Sequence, residues 1–257
     1  MKDHMPRNVI VTSAGDSVGR AIAEKHVALG DRVFICDNDP DNLKATLDAN
    51  SGMLGEVANI GSQLETSDFF DHALDIFGTV DVLVNTVGIG GPRALIENID
   101  LDEWRTVFAT NLDGMLIGMQ KVIPSMKANK HGSIINFSSA STKTGMVARS
   151  SYIAVKCAVE GLTMNAAREL GEHGVRCNAI LPGVIDNARM RNIMDAVAKD
   201  EGLSIAEVEA RYLKFISTRS KVSPDEIAEM VLYLNSDKAR NITGQMVSVD
   251  GNLEWEN

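Results

Sequence analysis

A tyrosine and a lysine, Tyr152 and Lys156, stand four residues apart in a stretch with helical periodicity. This spacing puts both side chains on one face of a helix, one turn apart. For the phenol to exchange a proton at neutral pH, its pKa of about 10 would have to fall by about 3 units, or roughly 4 kcal/mol, and an ammonium group about 4 Å away supplies about that much. The pair therefore predicts a tyrosine that acts as a general acid or base. The alternative is two amphipathic side chains on a solvated helix face.

Two other polar residues precede this pair at positions where a side chain can serve a reaction. Ser139 follows the apolar stretch Ser133–Phe137, thirteen residues before Tyr152. Its hydroxyl would stand at the carboxyl end of a strand, where it can orient a substrate oxygen. Asn111 falls inside a long helical stretch, although asparagine is a poor residue for a helix interior. We interpret Asn111 as the holder of a water molecule, the alternative being a tolerated polar residue.

A glycine-containing turn, Thr12–Gly19, follows a buried strand and opens a helix. Free amides at a helix N-terminus and the helix dipole attract phosphate, and glycine lets the backbone approach it closely. The turn holds only two glycines, Gly15 and Gly19. An ordinary helix start capped by Asp16 or Ser17 is therefore an equal alternative.

An acidic residue, Asp37, comes directly after the second strand, eighteen residues past Gly19. A carboxylate there can accept hydrogen bonds from the ribose 2′-hydroxyl of NAD. It would repel a 2′-phosphate, and no Arg or Lys occurs at positions 38–43 to compensate. The sequence therefore favours NAD(H) over NADP(H), the alternative being a solvated aspartate in an acidic loop.

Short apolar runs alternate with amphipathic stretches along the whole chain, which predicts a parallel sheet covered by helices on both faces. Right-handed crossovers make a doubly wound α/β sheet the leading topology. The predicted strands are Asn8–Thr12, Arg32–Cys36, Met53–Ala58, Val80–Val84, Ser133–Phe137, Arg176–Leu181 and Met246–Val249. The predicted helices are Ser17–Leu29, Asp41–Asn50, Leu64–Phe77, Leu101–Met126 and Ser150–Glu172.

We expect a single domain over residues 1–257, with a cofactor half at about 7–130 and a catalytic and substrate half at about 131–252. Between Gly183 and Ser223, two short helical stretches near Ala188–Lys199 and Ser204–Phe215 break the alternation. An insertion there would lie beyond the carboxyl ends of the strands, where such folds bind ligands. We interpret residues 184–222 as a lid over the substrate.

Composition excludes several classes of function. The net charge of -10 disfavours a nucleic-acid partner. The three cysteines form no C-x-x-C pair and no Cys/His cluster with zinc-ligand spacing, so we expect no metal site and a reducing compartment. We see neither a signal peptide before the first strand nor an apolar run long enough to span a membrane, and we expect a cytoplasmic protein.

Taken together, these residues resemble the short-chain dehydrogenase/reductase family, in its classical subgroup. The resemblance runs from about Arg7 to Asn252, and its motifs are highly specific jointly rather than singly. They are Thr12–Gly19, Asp37, Asn85–Gly88, Asn111, Ser138–Ser139, Tyr152 with Lys156, Asn178, Pro182–Gly183 and Val249–Gly251.

The resemblance implies a Rossmann-type sheet of seven parallel strands and an NAD(H)-dependent exchange of hydride between an alcohol and a ketone. It implies that Ser139 holds the substrate oxygen, Tyr152 exchanges its proton, Lys156 binds the nicotinamide ribose and Asn111 positions a relay water. It also implies a homo-tetramer or homo-dimer. The implied cofactor contacts are Thr12, Ser13, Gly15, Ser17, Val18, Gly19, Asp37, Asn59, Ile60, Asn85, Val87, Gly88, Tyr152, Lys156, Pro182, Gly183 and Ile185.

The chain departs from the family pattern around the cofactor and not in the four catalytic positions. Ser13 and Ser17 replace glycines of the turn, where a positive φ would cost a serine about 1–2 kcal/mol. We expect Gly15 to absorb part of that strain and Asp16 to compete for the phosphate-binding amides. The other departures are Thr86 and Val87 in the fourth-strand motif, Asn59, Asn187 and Asn252. We therefore expect weaker or altered NAD affinity with the chemistry retained.

Two other functions remain open. An NADPH-dependent 3-oxoacyl thioester reductase would need basic residues near positions 16–20 and 38, and only Arg20 qualifies. A non-catalytic protein that kept the fold would explain the altered turn, but it has no need of all four catalytic groups.

The substrate pocket should lie between Ile89–Arg93, Ala140–Met146, Arg149 and the lid. Arg189 and Arg191 there raise the hypothesis of an apolar substrate with a polar or anionic end, the alternative being arginines that face water.

Overall fold

Seven strands form one parallel sheet in the computed structural model, which describes residues 5–254. The ends of the predicted domain, residues 1–4 and 255–257, lie outside the described residues. The strand order is β3-β2-β1-β4-β5-β6-β7. The chain adds β1 to β3 toward one edge of the sheet and β4 to β7 toward the other, so the topological switch point lies between β1 and β4. The strands are β1 Asn8–Thr12, β2 Arg32–Asp37, β3 Leu54–Val57, β4 Val82–Asn85, β5 Gly132–Phe137, β6 Val175–Pro182 and β7 Met246–Val249.

Helices cover both faces of this sheet because each presents an apolar stripe to it. One core lies under α3, α5 and α6 and includes Phe69, Phe70 and Met119. The other lies under α1, α2 and α9 and includes Ile22 and Val231. The α-helices are α1 Ser17–Ala28, α2 Pro40–Ala49, α3 Gln63–Phe77, α4 Leu101–Phe108, α5 Gly114–Asn129, α6 Ser150–Leu170, α7 Ala188–Glu201, α8 Ile205–Lys214 and α9 Pro224–Leu234. The doubly wound Rossmann-type sheet of seven parallel strands is therefore confirmed.

The prediction of one continuous helix over Leu101–Met126 was wrong. The structure has α4, then a π-helical segment over Ala109–Asp113, then α5. Single π turns are common where a side chain must be placed for function, and this one contains Asn111. Helix α9 was missed, although Ser223 caps it in a reciprocal capping box with Glu226 and Pro224 occupies its first turn.

The two helices predicted after Gly183 are present as α7 and α8. They pack on a small core of their own, which includes Met194, Val208 and Leu253. Asn187 caps α7 and Ser204 caps α8, so each helix start is fixed by its own sequence. The role of this segment as a lid and the division of the domain into two halves stay predictions. No helix within residues 5–254 is both long and apolar enough to cross a membrane.

Candidate active site

The carboxyl ends of β4, β5 and β6 open into a cleft of about 230 Å³. Ser139, Tyr152 and Lys156 all line it, together with Gly88 and residues of α7. The parallel direction of the strands explains this convergence, because loops after neighbouring parallel strands leave the sheet at the same edge. Three of the four predicted catalytic side chains therefore share one cleft, and the fourth lies immediately behind it.

Lys156 is buried on the first turns of α6, and its ammonium nitrogen donates a hydrogen bond to the Phe137 carbonyl at 2.8 Å. That nitrogen lies 5.9 Å from the centroid of the Tyr152 ring, as the four-residue spacing predicts. Burial, and secondarily the charge of Arg189, lowers the pKa of Lys156 to about 7. The lysine charge in this site is therefore poised to change near neutral pH.

Ser139 comes directly after β5 in extended backbone and caps the short 3₁₀ turn Ala140–Lys143. Its hydroxyl accepts a hydrogen bond from the Ser141 amide at 3.3 Å. A hydroxyl that accepts from the backbone keeps its own hydrogen for another acceptor. The side chain is thus held at the cleft with a donor available.

Asn111 is fixed by the π segment. Its side-chain amide donates to the carbonyl oxygens of Val107 at 2.9 Å and Ile89 at 3.1 Å. Within residues 5–254, Asn111 Oδ1 is the one buried side-chain polar atom with no hydrogen-bond partner. A Cβ built on Gly88 would lie 3.0 Å from both this oxygen and Lys156 Nζ. The two groups therefore converge on Gly88, where a larger side chain would not fit beside them. An orphaned buried acceptor beside a lysine is a fitting site for an ordered water.

A groove of about 350 Å³ continues from this cleft to Asp37. The two share Thr86, Gly88, Ile185, Asn187 and Arg189 among their lining residues, so they form one continuous depression. Its far end is acidic, with three aspartates in its wall: Asp16, Asp37 and Asp39. The Asp37 carboxylate is buried and accepts from the amides of Gly15 at 2.9 Å and Asp39 at 3.0 Å. These contacts fix its orientation and leave lone pairs for further donors.

The two serines of the turn occupy the left-handed region themselves, with φ of 51° at Ser13 and 52° at Ser17. The expectation that Gly15 absorbs the strain was wrong, because Gly15 does not have a positive φ. Gly15 is small for another reason: a Cβ there would lie 3.0 Å from the Asp37 side chain. Gly19 likewise lets α1 pass the Ser13 carbonyl, which a Cβ would approach to 2.3 Å.

The N-terminus of α1 has amides available. Asp16, the residue before the helix, makes no side-chain capping hydrogen bond within the described residues. The expected competition between its carboxylate and a phosphate is therefore absent from this structure. The Ser17 hydroxyl instead accepts a hydrogen bond from the Asn187 side chain at 2.9 Å.

The remaining predicted cofactor residues divide by where their side chains lie. Those that line the groove or cleft are Ser13, Ser17, Val18, Gly19, Asp37, Gly88, Pro182, Gly183 and Ile185. Thr12 and Asn85 are buried between strands, where Asn85 donates to Asn136 at 2.9 Å. The others, Asn59, Ile60 and Val87, lie outside both depressions, and cofactor contact through their backbone stays a prediction.

Sequence reasoning missed Thr86 and Arg189 as groove residues. The Thr86 hydroxyl donates to the Thr12 and Ser13 carbonyls, which ties β4 to the turn. Arg189 donates to the Gly88 carbonyl at 2.7 Å and borders both groove and cleft. The position of Thr86 inside the Asn85–Gly88 motif was an available signal, whereas the direction of Arg189 depends on how α7 packs in the folded chain.

The lid arginines do not act alike. Arg189 lines the cleft, as do Arg93 and Arg149. Arg191, paired with Arg189 in the sequence hypothesis, is exposed and forms an ion pair with Asp186 at 3.3 Å, so its assignment to the substrate pocket was wrong. Residues 5–254 contain no group of three or more His, Cys, Asp or Glu side chains that could hold a metal ion.

Comparison with known proteins agrees with this architecture. A family model described as enoyl-(acyl carrier protein) reductase matches residues 13–253. The chain is 32% identical over 246 residues to the short-chain reductase protein NovJ of Streptomyces niveus, covering 94% of this chain and 92% of that protein. It is 32% identical over 260 residues to the 3-oxoacyl-[acyl-carrier-protein] reductase FabG of Staphylococcus epidermidis, covering 97% and 99%.

A similar solved structure is that of a variant of actinorhodin polyketide ketoreductase with NADPH, at a TM-score of 0.91 and 29% identity over 96% of this chain and 97% of that one. Fold, family model and relatives agree over nearly the full length. The chain therefore belongs to the short-chain dehydrogenase/reductase family of oxidoreductases.

Proposed function

We propose that this chain is an NAD(H)-dependent oxidoreductase that interconverts an alcohol and a ketone, with Tyr152 as the proton-transfer group. One observation carries the proposal: Ser139, Tyr152 and Lys156 line one cleft, with Asn111 behind it, and that cleft continues into a groove ending at Asp37. Bound in this groove, NAD(H) would supply or accept the hydride.

The groove fits a dinucleotide on two grounds. The uncapped N-terminus of α1 offers amides and a positive dipole to a pyrophosphate. The Asp37 carboxylate, already oriented by two backbone amides, offers acceptors to ribose hydroxyls. Arg189 stands between these elements and the cleft and adds positive charge near the middle of the groove.

The four catalytic candidates divide the proton chemistry between them. Ser139, with its hydroxyl hydrogen available, would donate to the substrate oxygen and align it with Tyr152. The Tyr152 phenol would give its proton to a ketone oxygen, and in the reverse direction the Tyr152 phenolate would take a proton from an alcohol. The Lys156 ammonium favours the phenolate form by its charge. The unpartnered Asn111 Oδ1 would hold a water that connects this proton to solvent.

The acidic end of the groove supports NAD(H) rather than NADP(H). A 2′-phosphate beside Asp37 would meet the carboxylates of Asp16 and Asp39 as well. Arg20, the one cation that the sequence offered there, is paired with Glu24 at 2.8 Å and is not among the residues that line the groove.

The second candidate is an NADPH-dependent 3-oxoacyl thioester reductase. The similarity to FabG and to a ketoreductase crystallised with NADPH favours it. It differs from our proposal in cofactor and in the substrate's end group, so the same experiments separate the two.

The test is a titration followed by turnover. NAD+ and NADP+ are titrated separately by thermal shift, and secondary alcohols, hydroxy acids and sugar acids are then screened for NADH formation by absorbance. Stabilisation by NAD+ with turnover of an alcohol supports the proposal. Stabilisation by NADP+ alone would favour the second candidate, and stabilisation by neither would favour a non-catalytic protein.

We also propose that the chain assembles as a homo-tetramer or homo-dimer. Exposed apolar side chains lie on the three helices after β4, at Leu101, Leu116 and Met164. Light scattering on the purified protein gives the mass, and a monomer would contradict this assignment.

A further inference from the structure

The substrate cleft is cationic in a protein that is acidic overall. The chain carries a net charge of -10, yet three arginines, Arg93, Arg149 and Arg189, line the cleft beside Lys156. Among the described residues that line it, none is Asp or Glu. The sign of the cleft is therefore opposite to that of the molecule, which makes it a local attractor for anions.

Arg149 is the most buried of the three arginines. Its guanidinium lies over the Tyr152 ring, 5.1 Å from the centroid, and donates to the Gly91 carbonyl at 3.1 Å. It forms no ion pair with any residue of the described chain. Burial, followed by the like charges of Arg93 and Arg189, lowers its pKa. A half-buried cation without a carboxylate partner carries a desolvation cost that an incoming anion would offset.

Arg149 and Arg189 converge on one point of the cleft. A Cβ built on Gly90 would lie 2.5 Å from Arg149 Nη2 and 3.4 Å from Arg189 Nη2. The two nitrogens are thus within about 6 Å of each other, close enough for one oxyanion to accept from both. Gly90 has no side chain to separate them.

The wall also has an apolar part, formed by Met146, Met190, Ile193 and Leu253, besides its hydroxyl-bearing side chains. A ligand that satisfies the whole cleft therefore has an apolar body and one anionic end. Since Arg149 lies against Tyr152, that end would sit only a few bonds from the carbon whose oxygen exchanges a proton with the phenol.

We infer that the substrate is an oxo or hydroxy compound with an oxyanion end group, a carboxylate or a phosphate ester, held by Arg149 with Arg93 and Arg189. This inference rests on the proposed function for the reacting group, but the anion site itself does not depend on turnover. Arginine suits the role because its planar fork binds carboxylate and phosphate through two hydrogen bonds.

The test measures binding of unreactive ligands to the full chain saturated with NAD+. Butanoate, hexanoate and octanoate are titrated by calorimetry beside the matching amides and alkyl phosphates. We expect the anions to bind about 10- to 100-fold more tightly than the amides, the size of effect given by charge-assisted hydrogen bonds. The comparison of alkanoates with alkyl phosphates identifies the end group.

Variants assign the effect to residues. Arg149→Gln keeps N–H donors for Gly91 and removes the charge, and Arg93→Gln changes an exposed side chain, so that one variant stays informative if the other fails to fold. Each should weaken anion binding about 10- to 100-fold and leave the NAD+ affinity unchanged. Arg191→Gln, on the same helix as Arg189 but turned to solvent, is the matched control and should change neither affinity.

Equal binding of anions and amides, or anion binding that survives both Arg149→Gln and Arg93→Gln, overturns the inference. A separate assay with NADH and oxo acids beside their methyl esters keeps the two proposals apart. Esters reduced as well as acids would leave the oxidoreductase proposal standing and remove the anion site. Anion binding without turnover of any compound would keep the site and remove the oxidoreductase.

Discussion

Asn187 donates a hydrogen bond from its side-chain amide to Ser17 Oγ at 2.9 Å, and this bond joins the start of α7 to the start of α1. Ser17 and Asn187 are two of the positions at which the sequence departs from the family pattern. The departures are therefore in contact rather than independent. Asn187 also caps α7 by accepting from the Met190 amide at 2.8 Å, so the same side chain caps this helix and connects it to the turn before α1.

A double-mutant cycle measures this contact. Ser17→Ala removes the hydroxyl, and Asn187→Ser keeps a capping side chain but is too short to reach position 17. We expect a coupling of about 0.5–1.5 kcal/mol in the free energy of unfolding, the usual net value of one hydrogen bond. Urea titrations of the four proteins give the value, and strictly additive losses would show that the bond contributes nothing.

Ser13 is a site where one substitution should stabilise the fold. Its φ of 51° costs a serine about 1–2 kcal/mol, whereas glycine adopts it freely but loses about 0.5–1 kcal/mol of chain entropy on folding. Ser13→Gly should therefore raise the free energy of unfolding by about 0.5–1 kcal/mol. Ser13→Ala, which keeps the strain, is the control and should give no gain. A lower urea midpoint for Ser13→Gly would count against the strain argument.

Tyr152→Phe tests the proton-transfer role. The ring and its contacts with Arg149 are kept, and only the hydroxyl is lost. Turnover should fall by about 100- to 10,000-fold, the range for removal of a general acid or base. NAD+ should still raise the unfolding temperature by the same amount. Near-normal turnover in this variant would take the proton-transfer role away from Tyr152.

The lowered pKa of Lys156 predicts a pH dependence of stability. Its folded pKa is about 7 and the ordinary value is 10.5, so between these values the unfolded chain binds more protons than the folded one. Stability from this group therefore rises as pH increases through that window, by at most about 1.4 kcal/mol per pH unit. Burial raises the pKa of the Cys36 and Cys177 thiols from 9.0 to about 12, which acts in the opposite direction above pH 9.0.

Urea unfolding from pH 7 to about pH 8 isolates the lysine contribution, because the thiols of the unfolded chain, with an ordinary pKa of 9.0, are still mostly protonated there. Lys156→Met removes the titrating group and should flatten the rise seen in the wild-type chain. Parallel curves for the two proteins would mean that the buried amine stays charged in the folded chain throughout the range, which would contradict the lowered pKa.

Asp37 controls the choice of cofactor in our proposal. Asp37→Ser removes the carboxylate that faces the groove and leaves a hydroxyl as an acceptor for the Gly15 amide. NAD+ affinity should fall about 10-fold or more, and the ratio of NADP+ to NAD+ affinity should rise because a like charge is gone. Asp225→Ser, an exposed aspartate at the start of α9, is a suitable control. An unchanged affinity ratio in Asp37→Ser would remove the carboxylate from the selection of cofactor.

The sheet could be read from sequence because its signal is local. Each buried strand is a short apolar run, and the observed bounds of β1 and β7 equal the predicted ones. The positions of Ser139, Tyr152 and Lys156 followed from the same elements, since residues just past parallel strands meet at one edge. The direction of the lid arginines could not be read in this way. Arg189 and Arg191 lie two residues apart on one helix, and only the packing of α7 decides which faces the cleft.

The π segment shows the other limit. The hydrophobic periodicity over Leu101–Met126 is compatible with an unbroken helix. The extra residue of the π turn shifts the apolar pattern only in the residues that follow the turn. Asn111, a poor residue for a helix interior, was the one sequence feature that indicated an irregularity there. The bond between Ser17 and Asn187 was equally hidden, since the two residues are 170 positions apart in the chain.

The widened turn around Asn111 also constrains how this protein can change over time. A π turn accommodates one more residue than a regular turn, so losing it would swing everything downstream through about 100° around the helix axis. An amino-acid exchange at Asn111 leaves that bulge in the backbone, whereas deletion of a codon erases it and dislocates α5. A descendant that lost the reaction through substitution of Asn111 alone would therefore still have the π turn in its backbone.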